Sequence, residues 1–362
     1  MLDFSTLLPG PLATLLLAEA GAEVIKIERP GSGDEMRTYT PKFGADSVNF
    51  ALLNRGKRSV AIDLKDSRSI GKLKPLIASA DIVIEQFRPG VMDRLGLGYD
   101  ALNLINPRII YCAITGYGQS GPRSSVAAHD LNYVADAGML ALAAGTDGAP
   151  VPPPALVADI GGGTYPAVIN ILLALRERDR SGKGCKLDIA MADNLFTFMY
   201  WALGNGQIDG GWPTPGGELV TGGSPRYYVY RTKDGKFVAA APLESKFWKN
   251  FCNLIGLAPE LQDDSRDPAA TKRAVAQRIS AKNADEWRAL FAGKDICCCV
   301  VASVEAAFSD PHFIARGVFA AQLVADGRQI SALPVPIDAR FRSHAQRAGC
   351  PLLGEANSLI EE

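Results

Sequence analysis

Three histidines in 362 residues, at 129, 312 and 344, leave little for a histidine-built metal centre, and no Cys/His spacing resembles one. Charge of one sign is also missing. A net charge of −1 argues against broad binding to nucleic acid or a membrane surface, so a polyanionic ligand has to be met by local Arg and Lys clusters. No run reaches the 18 or more uncharged apolar residues of a membrane span; the best, around Val168 to Leu175, is far shorter. The opening Met1-Leu2-Asp3 lacks the basic start and cleavage site of a secretory leader. Seven cysteines are odd in number and irregularly spaced, which favours small hydrophobes in a reducing, cytoplasmic setting over disulfides. Three of them fall in Ile296-Cys297-Cys298-Cys299-Val300-Val301, which reads as a buried strand.

What is present is an ordinary globular composition, 47% apolar and 21% charged, in a chain long enough for two domains. Leu2 to Ser5 reads as the tail of a first strand that begins abruptly. Pro9-Gly10-Pro11 starts a helix over Leu12 to Ala20. Strands follow over 22–28, 59–64, 81–87, 108–114 and 185–191, with helices expected over 68–80, 130–142, 165–178 and 194–203. Strands alternating with helices predict an α/β fold, a large Rossmann-like parallel sheet with helices on both faces. Residues 204–223, rich in glycine, break the pattern. Beyond them a hairpin (227–240), helices over 244–255 and 272–291 and a strand over 296–301 predict a smaller α+β domain. The expected organisation is a large domain over 1–190, a linker over 191–223, a small domain over 224–310, and a returning segment over 311–362 that packs on the large domain.

Arg29, Lys65, Arg88 and Arg94 all lie just past the carboxyl ends of predicted parallel strands, the rim where open α/β sheets bind ligands. Four cations there suit a phosphate-bearing ligand, against the alternative of scattered surface charge. Gly116-Tyr117-Gly118-Gln119-Ser120-Gly121 matches a dinucleotide-binding pattern, but it follows the fourth strand, and Pro122-Arg123-Ser124-Ser125 stands where its helix should begin. His129 opens a helical run, and Asp159 precedes a glycine triplet and a long apolar helix. A carboxylate so placed is expected to have its pKa lowered by backbone N–H groups. A His and an Asp on two loop-to-helix junctions can face one substrate from two sides; a structural His and a helix-capping Asp are the alternative. Glu244 opens a helix after a strand, as a first-turn partner of the helix or as a site residue.

These stretches carry a resemblance. The segments Leu8-Pro9-Gly10-Pro11, Ile27-Glu28-Arg29-Pro30-Gly31, Asp63-Leu64-Lys65, Phe87-Arg88-Pro89-Gly90-Val91, Thr115 to Pro122, and Ala158-Asp159-Ile160-Gly161-Gly162-Gly163 together resemble the class III CoA-transferase (CaiB/BaiF) family, in its α-methylacyl-CoA racemase branch. His129-Asp130-Leu131-Asn132-Tyr133 is similar to the branch's His-Asp-x-Asn-Tyr segment. The resemblance implies an interlocked homodimer. It implies coenzyme A contacts at Arg29, at Ile62, Asp63, Leu64 and Lys65, at Gln86, Phe87 and Arg88, at Arg94, and around Ala128, Asp130, Leu131, Asn132 and Tyr133. No metal and no cofactor are expected beyond the coenzyme A carried by the substrate, and no nucleic-acid or membrane partner.

Two reactions share the family. In its racemases the residues matching His129 and Asp159 pass a proton at the α-carbon, and a glutamate matching Glu244 assists the histidine. In its transferases the aspartate attacks the thioester; those enzymes carry a polyglycine loop that Gly222-Gly223-Ser224-Pro225 is too short to match. The resemblance therefore implies racemisation of 2-methyl-branched acyl-CoA, with CoA transfer as the alternative and a non-catalytic CoA-binding member as the third; His129, Asp159 and Glu244 speak against that third reading. Where the racemases carry an asparagine four residues before the aspartate, this chain has Ala155, so a polar neighbour that would tune the aspartate or the substrate pose is absent. Apolar lining for the acyl chain is expected around Met139 and from Met191 to Tyr200.

Overall fold

A computed structural model describes residues 1–145, 147–343 and 349–361. They form two compact units: residues 1–137, 153–198 and 311 to the end make the first, and 138–152 with 199–310 the second. Residues 138–152, placed by the sequence reading in the large domain, thus group with the smaller unit. The helix expected to run to Leu142 ends at Asp136, with Gly138 in a left-handed conformation after Ala137.

The first unit is built on six parallel strands. They are β1 (Leu2–Asp3), β2 (Ile25–Glu28), β3 (Arg58–Ala61), β4 (Ile82–Glu85), β5 (Ile110–Thr115) and β6 (Cys185–Ala190), in the order β3-β2-β1-β4-β5-β6. Strand order reverses between β1 and β4, and the crevice at the carboxyl ends of such a pair is the ligand site of open α/β sheets. β4 and β5 are buried along their whole length, so they read as continuous apolar runs. Helix α1 (Pro9–Glu19) follows β1, opened by prolines suited to a first turn, and every one of its residues is buried. The helix expected over 68–80 is two short ones, Ser67–Lys72 and Lys74–Ser79, with Pro75 at the break.

Helix α2 (Asp130–Asp136) and helix α3 (Tyr165–Ser181) frame the site, and Gly182 in the left-handed region ends α3. Ala167, Ile171 and Ala174 of α3 are buried in this unit. With the turn before it, the helical run Ala158–Ser181 is long and apolar enough to cross a membrane by length and composition, though it carries Asp159 near its start and charged residues in its last turns. After β6 comes the short α4 (Met191–Asn194). Further on, the last stretch of chain returns to the sheet edge: Asn357 accepts the Ala61 N–H at 2.8 Å and the Ala356 N–H reaches the Ser59 carbonyl at 2.9 Å.

Beneath α1 lies a buried ionic cluster that the alternating pattern of β2 conceals. Lys26 and Lys57 are fully buried. Lys57 Nζ meets Asp3 at 3.2 Å, the Pro11 carbonyl at 2.9 Å and Asn54 at 2.8 Å. Lys26 Nζ meets Asp34 at 2.9 Å and the Ser5 carbonyl at 2.7 Å. Glu28 accepts a two-pronged bond from Arg37, 2.7 and 2.8 Å, and one from Ser59. Burial pushes Lys57 down to about 8 against the pull of Asp3, while the charges of Lys57 and Lys26 outweigh burial and hold Asp3 at about 2.

In the second unit, α5 (Tyr200–Asp209) runs straight through Gly204 and Gly206, which the sequence reading gave to a linker. Gly206 is required there because a side chain would enter the Trp212 ring. A three-stranded antiparallel sheet follows, of β7 (Tyr228–Arg231), β8 (Phe237–Ala240) and β9 (Cys298–Val300). Helices α6 (Ser245–Ile255), α7 (Pro268–Ile279) and α8 (Ala284–Phe291) complete its core around Tyr230, Val238, Trp248, Phe251 and Trp287. Asn283 caps α8, its N–H bonded to Glu286, which splits the single helix expected over 272–291. The cysteine strand is not buried: it is an edge strand, with Cys297 and Cys299 exposed and Cys298 turned toward the core.

Candidate active site

At the carboxyl ends of β1, β4 and β5 the first unit encloses a cavity of about 410 Å³. Its wall brings together Leu7 from the turn after β1, Pro9 at the head of α1, Gln86, Phe87 and Arg88 from the turn after β4, and Gly116 and Tyr117 after β5. Ala128, His129, Asn132 and Tyr133 at the head of α2, Asp159, and Met191 of α4 complete it. The site thus sits at the strand-order reversal.

His129 caps α2. Its backbone N–H bonds to Asn132 Oδ1 at 3.0 Å, and its carbonyl accepts from the Asn132 N–H at 2.8 Å, so main-chain bonds fix where the imidazole starts. Tyr133, one turn on, donates its hydroxyl to the Ala128 carbonyl at 2.8 Å and packs edge-on to Tyr117. Its ring lies over Gly116, where any side chain would collide with it. This explains the first glycine of the dinucleotide-like pattern without a nucleotide. The same loop is tied down by the Gln119 N–H on Asp188, 3.0 and 3.1 Å.

Asp159 lies in a π-helical turn, Ala158–Thr164, that runs directly into α3. Such turns are uncommon and concentrate at functional sites. The glycine triplet lets this turn approach α4: a side chain on Gly162 would strike the Met191 carbonyl, and one on Gly161 the Phe198 ring. Asn194 donates to the Gly162 carbonyl at 2.8 Å and Thr164 to the Pro9 carbonyl at 2.8 Å, which clamps the turn between α4 and α1.

The electrostatics of Asp159 reverse the sequence expectation. Its pKa is not lowered by backbone donors but raised to about 6, first by burial and next by the Asp130 carboxylate, with His129 opposing. The backbone N–H of Asp159 itself is taken by Asp130 Oδ1 at 2.9 Å. Tyr133 is likewise pushed up to about 12, by burial and then by Asp159.

Arg29, Lys65, Arg88 and Arg94 are exposed and follow β2, β3 and β4, with Arg29 Nε on the Gly33 carbonyl at 3.0 Å. Ile62 is buried in the sheet core with Leu64 packed against it, and Asp63 accepts the Lys65 N–H at 2.9 Å. Asp130 is buried and Leu131 exposed beside the cavity wall. Glu244 belongs to the second unit, where it is exposed and caps α6. Ala155 is exposed. Met139 lies in the second unit, while Met191 is part of the cavity wall. Gly116 and Tyr117, the first two residues of the dinucleotide-like pattern, line the site. Among the described residues no group of three or more His, Cys, Asp or Glu is placed to hold a metal ion.

The chain matches the model of CoA-transferase family III over residues 1–357. It is 36% identical over 360 residues to alpha-methylacyl-CoA racemase of Mus musculus, covering 98% of this chain and 89% of that one. It is also 33% identical to acetyl-CoA:oxalate CoA-transferase of Acetobacter aceti, covering 100% and 94%. A CAIB/BAIF family protein from Brucella suis superposes with a TM-score of 0.83 at 28% identity, covering 99% of this chain and 96% of that one.

Proposed function

The chain belongs to CoA-transferase family III, and from that membership we propose that it racemises 2-methyl-branched acyl-CoA thioesters by proton transfer between His129 and Asp159. The observation that carries this reading is the pairing of these two side chains on one cavity wall, with Asp159 raised to about 6. A carboxyl raised that far can hold a proton near neutrality and still give it up, which is what a two-base racemase needs of its acid. One group must accept the α-proton while the other delivers a proton to the opposite face.

In one direction neutral His129 takes the α-proton, and protonated Asp159 gives its own to the other face of the enolate. The enzyme is left as an imidazolium and a carboxylate, the arrangement that runs the reverse direction. An internal shift of that one proton restores the starting form. The enolate oxygen needs donors. The N–H groups of Asp130 and Leu131 at the head of α2 have no partner among the hydrogen bonds of the described residues, and in this reading they hold it. The Asp159 N–H does not serve, because Asp130 occupies it. Coenzyme A lies along the rim of Arg29, Lys65, Arg88 and Arg94, the substrate brings the only cofactor, and Glu244 assists His129 as the family resemblance implies. The working form in this reading is a homodimer, in which a second copy covers the exposed apolar stripe Tyr165, Ile169, Leu172 and Leu173 of α3.

One specific finding favours a second reading, CoA transfer. Transferase relatives match at 33–34% identity, close to the racemase figure. There Asp159 attacks the thioester carbonyl and expels the CoA thiolate to give a mixed anhydride. The thiolate then attacks the aspartyl carbonyl, releases the carboxylate and leaves an enzyme thioester. The test is incubation with a single-enantiomer 2-methylacyl-CoA in heavy water, followed by NMR. Deuterium uptake at the α-carbon with loss of optical purity is expected. No exchange, with a hydroxylamine-sensitive adduct on Asp159 when a carboxylic acceptor is present, makes the protein a transferase.

A further inference from the structure

Asp130 stands first in α2 and is buried, while its neighbours His129, Leu131 and Asn132 are exposed. A buried carboxylate needs something to hold it. No cation does: none of the ion pairs among the described residues includes Asp130. What meets it is the Asp159 N–H on Oδ1 at 2.9 Å. The residue next to the candidate base is therefore fastened to the main chain of the candidate acid.

Two charges act on the Asp159 carboxyl, and they come from consecutive residues. Asp130 favours its protonated form, and His129, when charged, favours its ionised form. The elements packed against the turn carry further titratable groups: Tyr133 and Asp136 on α2, Tyr165 and the charged run from Arg176 to Arg180 on α3, Glu19 on α1, Asp193 on α4, and Cys185, Lys186 and Asp188 on β6. Arg88 faces the same cavity. Asp193, Lys186 and Asp188 line a separate polar cavity, and Glu19 is paired with Arg55.

We propose that Asp130 is a positioning residue for the proton transfer: its carboxylate fastens the Asp159 main chain and supplies the fixed negative charge against which the changing charge of His129 works. Before abstraction His129 is neutral, so burial and Asp130 together keep the proton on Asp159. When His129 takes the α-proton, the substrate C–H pair becomes the enolate and the imidazole becomes a cation. That cation offsets Asp130, and Asp159 releases its proton to the enolate carbon from the other side. One C–H bond breaks and one forms, the O–H of Asp159 becomes an N–H on His129, and the proton count is unchanged. A His-Asp dipeptide at a helix head thus times the acid by the state of the base.

The inference rests on Asp159 being a proton-transfer group, and its test reads Asp159 directly. The full-length protein carrying carbon-13 at aspartate carboxyls is titrated by NMR, with Asp159 assigned through Asp159→Asn. Asp130→Asn keeps an oxygen for the Asp159 N–H but removes the charge; Asp130→Ser does the same in a smaller side chain should the first variant fold poorly. The Asp159 midpoint is expected to fall by about one pH unit or more in both. Asp130→Glu, which keeps the charge, holds it near the parent value. The rate of α-proton exchange drops at least tenfold in Asp130→Asn with little change in KM. An unmoved midpoint in the uncharged variants overturns the inference, as does an equal fall in Asp130→Glu. A midpoint that moves in the uncharged variants while the parent shows no α-exchange places the Asp130 charge on Asp159 but refutes racemisation, and the timing of proton transfer falls with it.

Discussion

Replacing Asp159 by asparagine should stabilise the first unit while abolishing racemisation. The carboxyl titrates at 3.8 in an unstructured chain and at about 6 here, because burial and Asp130 penalise its charge. Between those values the folded state binds more protons than the unfolded one, so the contribution to stability falls as pH rises from about 4 to 6. Above pH 6 the penalty is complete. At about 1.4 kcal/mol per pH unit it amounts to about 3 kcal/mol, or about 2–3 kcal/mol once the solvent reaching a half-buried group is allowed for. Asp159→Asn keeps the side-chain volume and removes the charge, so at pH 7.5 it recovers that amount. At pH 4 the gain shrinks below about 1 kcal/mol. With a urea slope of about 2–3 kcal/mol per M, the midpoint at pH 7.5 rises by about 1 M. All four tryptophans, Trp201, Trp212, Trp248 and Trp287, lie in the second unit. The first unit is therefore followed by hydrogen exchange of β5 amides rather than by fluorescence. Equal midpoints at pH 7.5, or a less stable variant, would refute the assignment of a strained, charge-penalised carboxylate.

Three further outcomes follow from named contacts. The kcat/KM for exchange of the α-proton that Asp159 removes should fall below about pH 6, where its carboxyl is protonated; a flat profile from pH 5 to 8 contradicts a base raised to that value. Gly116→Ala drives a methyl into the Tyr133 ring, so it should cost about 1–3 kcal/mol and reduce turnover; wild-type melting and activity would show the ring is free to move aside. Lys57→Met leaves Asp3 buried without its nearest cation and should lose about 3 kcal/mol at pH 7 by urea unfolding; a loss under about 1 kcal/mol would mean that Lys26 and Thr14 suffice.

Much of this was legible from residues alone. Alternating apolar strands and helices gave the parallel sheet, and the cations after β2, β3 and β4 lie past the strand ends as expected. His129 and Asp159 were singled out and share one cavity. What the pattern concealed depends on contacts distant in sequence. Lys26 and Glu28 alternate with isoleucines as a solvent-facing row would, yet Asp34, Ser5, Arg37 and Ser59 bury both charges. Asp159 sits where a helix terminus would lower its pKa, but burial and a carboxylate 29 residues earlier in the chain raise it. Gly204 and Gly206 look like a linker because glycine disfavours helices, and Trp212 packed on Gly206 supplies the tertiary reason for its place in one.

The account rests on two bases facing one α-carbon from opposite sides, and isotope exchange in single-base variants reads that directly. Each pure enantiomer of a 2-methylacyl-CoA is incubated in heavy water with the parent, with His129→Ala and with Asp159→Ala. The parent exchanges and racemises both. Each variant should exchange the α-proton of one enantiomer only, a different one in each case, and racemise neither. A variant that still racemises at the parent rate, or that exchanges both enantiomers, would show that His129 and Asp159 are not the two proton-transfer groups.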